Sequence, residues 1–238
     1  MDAVVLAGGK GTRLAPYNTV FPKPMIPLGD RPILDIIIKQ LDYYRFDRII
    51  LSVGYLAELI ESYYKSACKR ATRSKIEFVR ENEPLGTVGA LKLVENLNES
   101  FLVMNGDILT DMDFGKFMQF HKHHEGLLTI ATYNKKVNLE LGIMEVDKSH
   151  VIQSFQEKPT FNYLVSMGIY AYEPTVLEFI PNGKAFDFPQ LVWDALDQKK
   201  KLVAYPSEDY WLDLGSHVDY GKAQDEFELM KSKLFHES

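Results

Sequence analysis

Asp2-Ala3-Val4-Val5-Leu6-Ala7-Gly8-Gly9-Lys10-Gly11-Thr12-Arg13 follows Met1, and its reading decides the fold. A short apolar run that stops at glycine reads as a strand buried on both faces, as in a parallel sheet. Gly8, Gly9 and Gly11 let the backbone approach a ligand and turn its N–H groups inward, as an anion cradle requires. Thr12 adds a hydroxyl, and Arg13 adds a planar, permanently charged fork suited to phosphate oxygens. The Walker and dinucleotide spacings are both absent. On these residues alone, a plain glycine turn remains the competing reading.

Outward from this stretch, the first half alternates strands with helices. The strands are expected at Asp2–Ala7, Arg48–Val53, Lys75–Arg80 and Phe101–Asn105, and the helices near Ile33–Tyr44, Ala57–Lys69 and Thr87–Leu97. That alternation predicts a parallel sheet with helices on both faces and a ligand crevice at the carboxyl ends of the strands. The second half is richer in β-branched and aromatic residues. It predicts strands at Leu127–Tyr133, Gly142–Val146, Val151–Gln156 and Val165–Tyr172, with helices at Pro174–Ile180, Phe188–Gln198 and from His217 onward. The expected class is α/β: a Rossmann-like, three-layer mixed sheet forming one domain over residues 1–238. Within it, 1–126 would form one half of a cleft and 127–238 the other.

Bulk properties narrow the function. The chain has 238 residues and a formal net charge of −6, which argues against general nucleic-acid binding through a basic face. Cys68 is the single cysteine, so no internal disulfide forms and a cytoplasmic setting is expected. The first apolar run is too short for a secretory signal or a membrane span. Further on, Phe21-Pro22-Lys23-Pro24-Met25 sets one lysine between two prolines, which fix φ and make the segment stiff.

With the glycine loop, Arg13 and Lys23 together, the chain resembles the sugar-phosphate nucleotidyltransferase family, whose signature is a GG-x-G-T-R loop followed by a K-P lysine. The resemblance continues through Glu83-Pro84-Leu85-Gly86-Thr87, Asn105-Gly106-Asp107, Glu157-Lys158-Pro159, Ser166-Met167-Gly168-Ile169-Tyr170 and Trp211-Leu212-Asp213-Leu214-Gly215. It implies a GT-A-like fold and an in-line displacement. In that reaction a sugar 1-phosphate attacks the α-phosphorus of a nucleoside triphosphate and pyrophosphate leaves. It further implies Arg13, Lys23 and Asp107 as catalytic residues, with a magnesium ion held by Asp107 and Asp213. Leu6, Ala7, Gly8, Gly9, Gly11, Thr12, Glu81, Gly86, Thr87 and Gly106 would contact the nucleotide. Gly142, Glu157, Lys158, Ser166 and Gly168 would contact the sugar phosphate. Ser166 departs from the asparagine of many relatives, which leaves the sugar open. Some relatives carry a further carboxyl-terminal module; this chain, ending soon after its last helix, is expected to be the catalytic part alone. Oligomeric state is left open, and a homo-oligomer is compatible with everything above.

The base is addressed at Glu81, the position that reads it in the family. A carboxylate only accepts hydrogen bonds, and guanine offers adjacent N1–H and N2 amino donors. This favours GTP, and the Glu81–Thr87 run resembles guanylyltransferases for mannose or heptose phosphates. If Glu81 instead points to solvent, a uridylyl-, thymidylyl- or cytidylyltransferase remains open. A non-catalytic nucleotide-sugar sensor of the same fold is the other alternative, disfavoured because Arg13, Lys23, Asp107 and Asp213 are all present. Several other features read as structural. Asp111-Met112-Asp113 is expected to cap a helix rather than form the D-x-D metal motif of glycosyltransferases. His121, His123 and His124 read as a solvated helix end, and Lys199-Lys200-Lys201 as a helix terminus. Tyr43-Tyr44 and Tyr63-Tyr64 read as half-buried helix faces, Trp193 as core, and Trp211 as packing behind Asp213.

Overall fold

The computed structural model describes residues 1–67 and 72–235; Cys68 and the end of the predicted Ala57–Lys69 helix lie outside them. The chain begins with β1 (Asp2–Ala7), β2 (Pro27–Leu28), β3 (Arg31–Pro32), α1 (Ile33–Tyr43), β4 (Arg48–Val53), α2 (Ala57–Ala67), β5 (Lys75–Arg80) and α3 (Gly86–Gly89). It continues with β6 (Phe101–Asn105), β7 (Ile108–Thr110), α4 (Phe114–His124), β8 (Leu128–Asn138), β9 (Ile143–Val146), β10 (Ile152–Gln156) and β11 (Thr160–Tyr172). The last elements are α5 (Phe188–Asp197), β12 (Leu202–Ser207), β13 (Trp211–Asp213) and α6 (His217–Phe235).

The central sheet has seven strands in the order β12-β8-β11-β6-β1-β4-β5. β1 pairs in parallel with both β4 and β6, and β11 is antiparallel to both its neighbours, β6 and β8. The sheet is therefore mixed, with β11 reversed where residues from the second half join those of the first. Alternate side chains of each strand enter different cores. Ala3, Val5, Ile49 and Leu51 pack with α1, α2, α4 and α6 on one face. Val4, Ile50, Phe101 and Val103 pack with Val88, Leu91, Val176 and Leu191 on the other. Burial on both faces explains why the strands read as unbroken apolar runs. No described helix is long and apolar enough to cross a membrane.

Four expectations need correcting. The predicted helix Thr87–Leu97 is only the short α3 followed by a 3-10 turn at Ala90–Leu93, with Asn96 at φ +60°. Val88, Leu91, Val94 and Leu97 are still buried, because a spacing of three suits the tighter turn as well as a helix. β8 and β11 each run five residues beyond the predicted strands, pairing through Thr160↔Asn138 as an exposed arm outside the core. Trp193 is 63% exposed, since α5 buries Leu191 and Ala195 at helical spacing and Trp193 falls on the opposite side. His121 is buried with Phe114, Phe117 and Met118 along the inner stripe of α4, its Nδ1 2.7 Å from Thr129 Oγ1. Asp113 caps α4 by accepting from Lys116 N, and Asp111 Oδ1 accepts from Tyr210 N at 2.8 Å.

Candidate active site

β1 and β6 run side by side, so the two loops at their carboxyl ends meet. Gly106 N donates to Leu6 O at 2.9 Å, and a Cβ on Gly106 would come within 2.9 Å of that oxygen. Gly11 takes φ +57°, the left-handed region, and starts the turn Thr12–Leu14. A Cβ there would lie 2.9 Å from Lys23 Cβ, so the glycine loop rests directly on the lysine stem. Lys23 is itself 8% exposed, and its ammonium is ion-paired with Asp107.

The second carboxylate arrives from far along the chain. β13 pairs antiparallel with β7, setting Asp213 opposite Ile108, and Leu214 N donates to Asp107 O at 3.0 Å. A Cβ on Gly215 would stand 3.1 Å from Asp213 Oδ1 and 3.3 Å from both terminal nitrogens of Arg13. Arg13, Lys23, Asp107 and Asp213 thus converge on one spot. The Asp213 pKa is raised, chiefly by desolvation and then by the negative charge of Asp107, while Lys23 and Arg13 oppose the rise. Trp211 Nε1 donates to Met167 O at 2.9 Å, tying β13 to β11 two residues before Asp213.

A cavity of about 800 Å³ opens from this cluster over the glycine loop. Its far wall holds Glu81, whose backbone N–H continues the sheet by donating to Val53 O. The Glu81 side chain turns inward: Ser52 Oγ donates to Oε1 at 2.9 Å and Leu85 N to Oε2 at 3.1 Å. A Cβ on Gly8 would be 2.6 Å from Oε1, so a side chain there would displace the carboxylate from this position. Gly86 and Thr87 complete that wall, next to Asp187 at the start of α5.

The cavity wall includes Leu6, Ala7, Gly8, Gly9 and Gly11 from the glycine loop, together with Arg13, Lys23, Gly106 and Asp107. Thr12 and Asp213 flank it without lining it. The residues expected on the sugar side lie further out. Gly168, at φ +74°, would place a Cβ 2.7 Å from Asn105 Nδ2, and its N–H donates to Ser166 Oγ at 3.2 Å. A Cβ on Gly142 would come within 2.7 Å of the Phe155 ring and 3.0 Å of Glu157 Oε2, on the arm beyond the sheet. Lys158 is exposed and faces Glu140 at 3.7 Å. Sequence reasoning missed Ser52, Tyr55, Asn105 and Asp187. Tyr55, Asn105 and Asp187 line the cavity, whereas a serine inside Arg48-Ile49-Ile50-Leu51-Ser52-Val53 was the one local signal available.

The model of the nucleotidyl transferase family matches residues 2–229. The chain belongs to the nucleotidyl transferase family. Among curated relatives, this nucleotidyl transferase is 33% identical to a UTP–glucose-1-phosphate uridylyltransferase of Synechocystis, over 94% of the chain and 62% of that protein. It is 31% identical to the mannose-1-phosphate guanylyltransferase catalytic subunit beta of Xenopus tropicalis, over 92% of the chain and 62% of that protein. The chain therefore spans about three fifths of the length of these two relatives. A crystal structure of HddC from Yersinia pseudotuberculosis complexed with GMP-PN superposes with TM-score 0.70 at 31% identity, over 95% of this chain and 99% of that one.

Proposed function

We propose that this nucleotidyl transferase joins GTP to a manno-configured hexose or heptose 1-phosphate, giving a nucleotide sugar and pyrophosphate. The observation that carries the guanine part is the Glu81 carboxylate turned into the cavity above Gly8. Each carboxylate oxygen has about two acceptor positions. With Ser52 Oγ and Leu85 N each using one, a pair of acceptor positions remains for the base. Guanine meets them with two adjacent donors. Uracil and thymine would set one donor between two carbonyls and bring an acceptor against a carboxylate oxygen. The mannose-1-phosphate guanylyltransferase relative and the HddC complex with GMP-PN support this reading; the uridylyltransferase relative favours the competing one.

An oxygen of the sugar phosphate forms the new bond to the α-phosphorus as the bond to the pyrophosphate oxygen breaks. The attacking oxygen is already an anion, so no general base is required. The work is to bring two anions together and stabilise charge on the phosphate oxygens. Arg13 and Lys23 supply fixed positive charge beside the glycine loop, whose N–H groups face the triphosphate. Lys158, on its exposed arm, would contact the sugar phosphate, with Gly142, Glu157, Ser166 and Gly168 shaping the sugar side. In this reading residues 1–126 form the nucleotide half of a single domain and 127–238 the sugar-phosphate half.

The residues present fit a magnesium ion. Two hard oxygen donors, Asp107 and Asp213, lie side by side, and the Asp213 pKa is raised by burial first and by the Asp107 charge second, a repulsion that a cation would relieve. Magnesium needs only one or two carboxylates, with water and phosphate oxygens completing its shell, so the absence of a larger ligand cluster among the described residues is consistent with it. When bound, it would neutralise phosphate charge.

The test is a substrate panel with magnesium present, measuring pyrophosphate release for GTP, UTP, dTTP, CTP and ATP against several sugar 1-phosphates. Release with GTP and a manno-configured sugar phosphate is expected. Turnover with UTP or dTTP but not GTP would remove the guanine assignment, and binding without release would remove the enzyme.

A further inference from the structure

Ser52 is fully buried in β4 between apolar neighbours, and its hydroxyl donates to a carboxylate rather than to backbone. A hydroxyl in such a place must find an acceptor, and this one finds Glu81 Oε1 at 2.9 Å. The two residues share a face: Ser52 pairs with Val79 across the parallel β4–β5 ladder, and Glu81 stands two residues further along. The other oxygen, Oε2, is taken by Leu85 N at 3.1 Å from the loop before α3. The carboxylate is thus held by donors from two different elements, directly above the backbone of Gly8.

We propose that Ser52 is a positioning residue for nucleobase selection, its hydroxyl fixing the Glu81 carboxylate so that the remaining acceptor positions face the cavity as a pair. This rests on the guanine reading given above. Without Ser52, one end of the carboxylate is released and can turn about its last bond. The pair of acceptors then no longer matches two adjacent donors on a base, while a base presenting a single donor loses less. A purely structural role for Ser52, as a small filler in the strand, makes a different prediction: removing the hydroxyl would weaken the enzyme equally toward every nucleotide.

The experiment compares kcat/KM for GTP and UTP in the wild type, Ser52→Ala, Glu81→Gln and the double variant. Ser52→Ala is expected to cut the GTP-over-UTP preference about tenfold, the worth of one hydrogen bond to a charged group, with the loss falling on KM for GTP. In the Glu81→Gln background the same change is expected to leave the preference where Glu81→Gln alone puts it. If Glu81→Gln shifts the preference and Ser52→Ala does not, the Ser52 role is overturned and the guanine reading stands. If Glu81→Gln leaves the preference unmoved, Glu81 does not read the base and the Ser52 role falls with it. If the wild type prefers UTP, the guanine reading itself falls and the proposal with it. Equal losses for both nucleotides overturn it too. Should Ser52→Ala fail to fold, Ser52→Cys keeps the volume with a weaker donor, and the same comparison applies to it.

Discussion

Thr87 and Asp187, one hundred residues apart, cap each other: Asp187 Oδ1 accepts from Thr87 N at 2.9 Å, and Thr87 Oγ1 accepts from Phe188 N at 2.9 Å. The exchange fastens the loop that carries Glu81 and Gly86 to the start of α5, where Asp187 also forms a capping box with Gln190. Phe186 O reinforces it by accepting from both Val88 N and Gly89 N.

Asp187→Ala should therefore cost about 1 kcal/mol of stability through the lost cap and raise KM for the nucleotide about tenfold by loosening the cavity wall. Asp187→Asn, which keeps a capping oxygen, should recover most of both. Chemical denaturation beside steady-state kinetics checks this, and an unchanged KM in the alanine variant would show that the loop holds its shape alone.

The convergence of Arg13, Lys23, Asp107 and Asp213 predicts large losses of rate. Arg13→Ala and Asp107→Ala should each fall ~10²–10³-fold in turnover, the scale expected for removing one group aimed at developing charge. Both should keep a native circular dichroism spectrum. Near-normal turnover in either purified variant would count against the assignment.

Gly168 adopts φ +74°, and a Cβ there would meet Asn105 Nδ2 at 2.7 Å. Gly168→Ala should lose ~1–2 kcal/mol from the left-handed backbone alone, a fall in Tm of ~2–8 °C for a chain of this size. By displacing Asn105, which lines the cavity, it should also weaken binding of substrate there. A thermal melt with and without substrate separates the two effects.

His121 is fully buried, and desolvation lowers its pKa below the ordinary 6.5 although Glu173 Oε1, 3.1 Å from Nε2, pulls the other way. The unfolded chain then takes up a proton near pH 6.5 that the folded chain refuses. Stability is full above that value and is lost as pH falls toward the folded pKa, with a slope of at most ~1.4 kcal/mol per pH unit. Denaturation midpoints from pH 7.5 to 5 should fall more steeply in the wild type than in His121→Gln. Parallel curves would place the acid sensitivity elsewhere.

Local pattern was enough for most elements. β1, β4 and β6 lie at their predicted bounds, because strands buried on both faces leave continuous apolar runs and their ends fall at polar residues or glycine. β5, an edge strand, also lies at its predicted bounds. α1 and α5 likewise follow the spacing of their buried residues. The failures share a cause. α3 is held by hydrogen bonds from Val88 and Gly89 to Phe186, a tertiary contact that the apolar spacing of its segment does not record, and the extensions of β8 and β11 are held by each other. His121 and Trp193 were misplaced because which side of a helix faces inward depends on what packs there.

The sequence by itself determined that Gly8, Gly9, Gly11 and Arg13 stand together at the end of a buried strand and that Lys23 sits on a stiff segment, since short-range stiffness and glycine geometry act within a few residues. Only the tertiary structure decided that Asp213 would stand beside Asp107, that Asp187 would meet Thr87, and that Glu81 would turn inward onto Ser52. Those contacts join segments brought together by strand pairing across the sheet. Their partners are chosen by register and packing, which no local run of residues records.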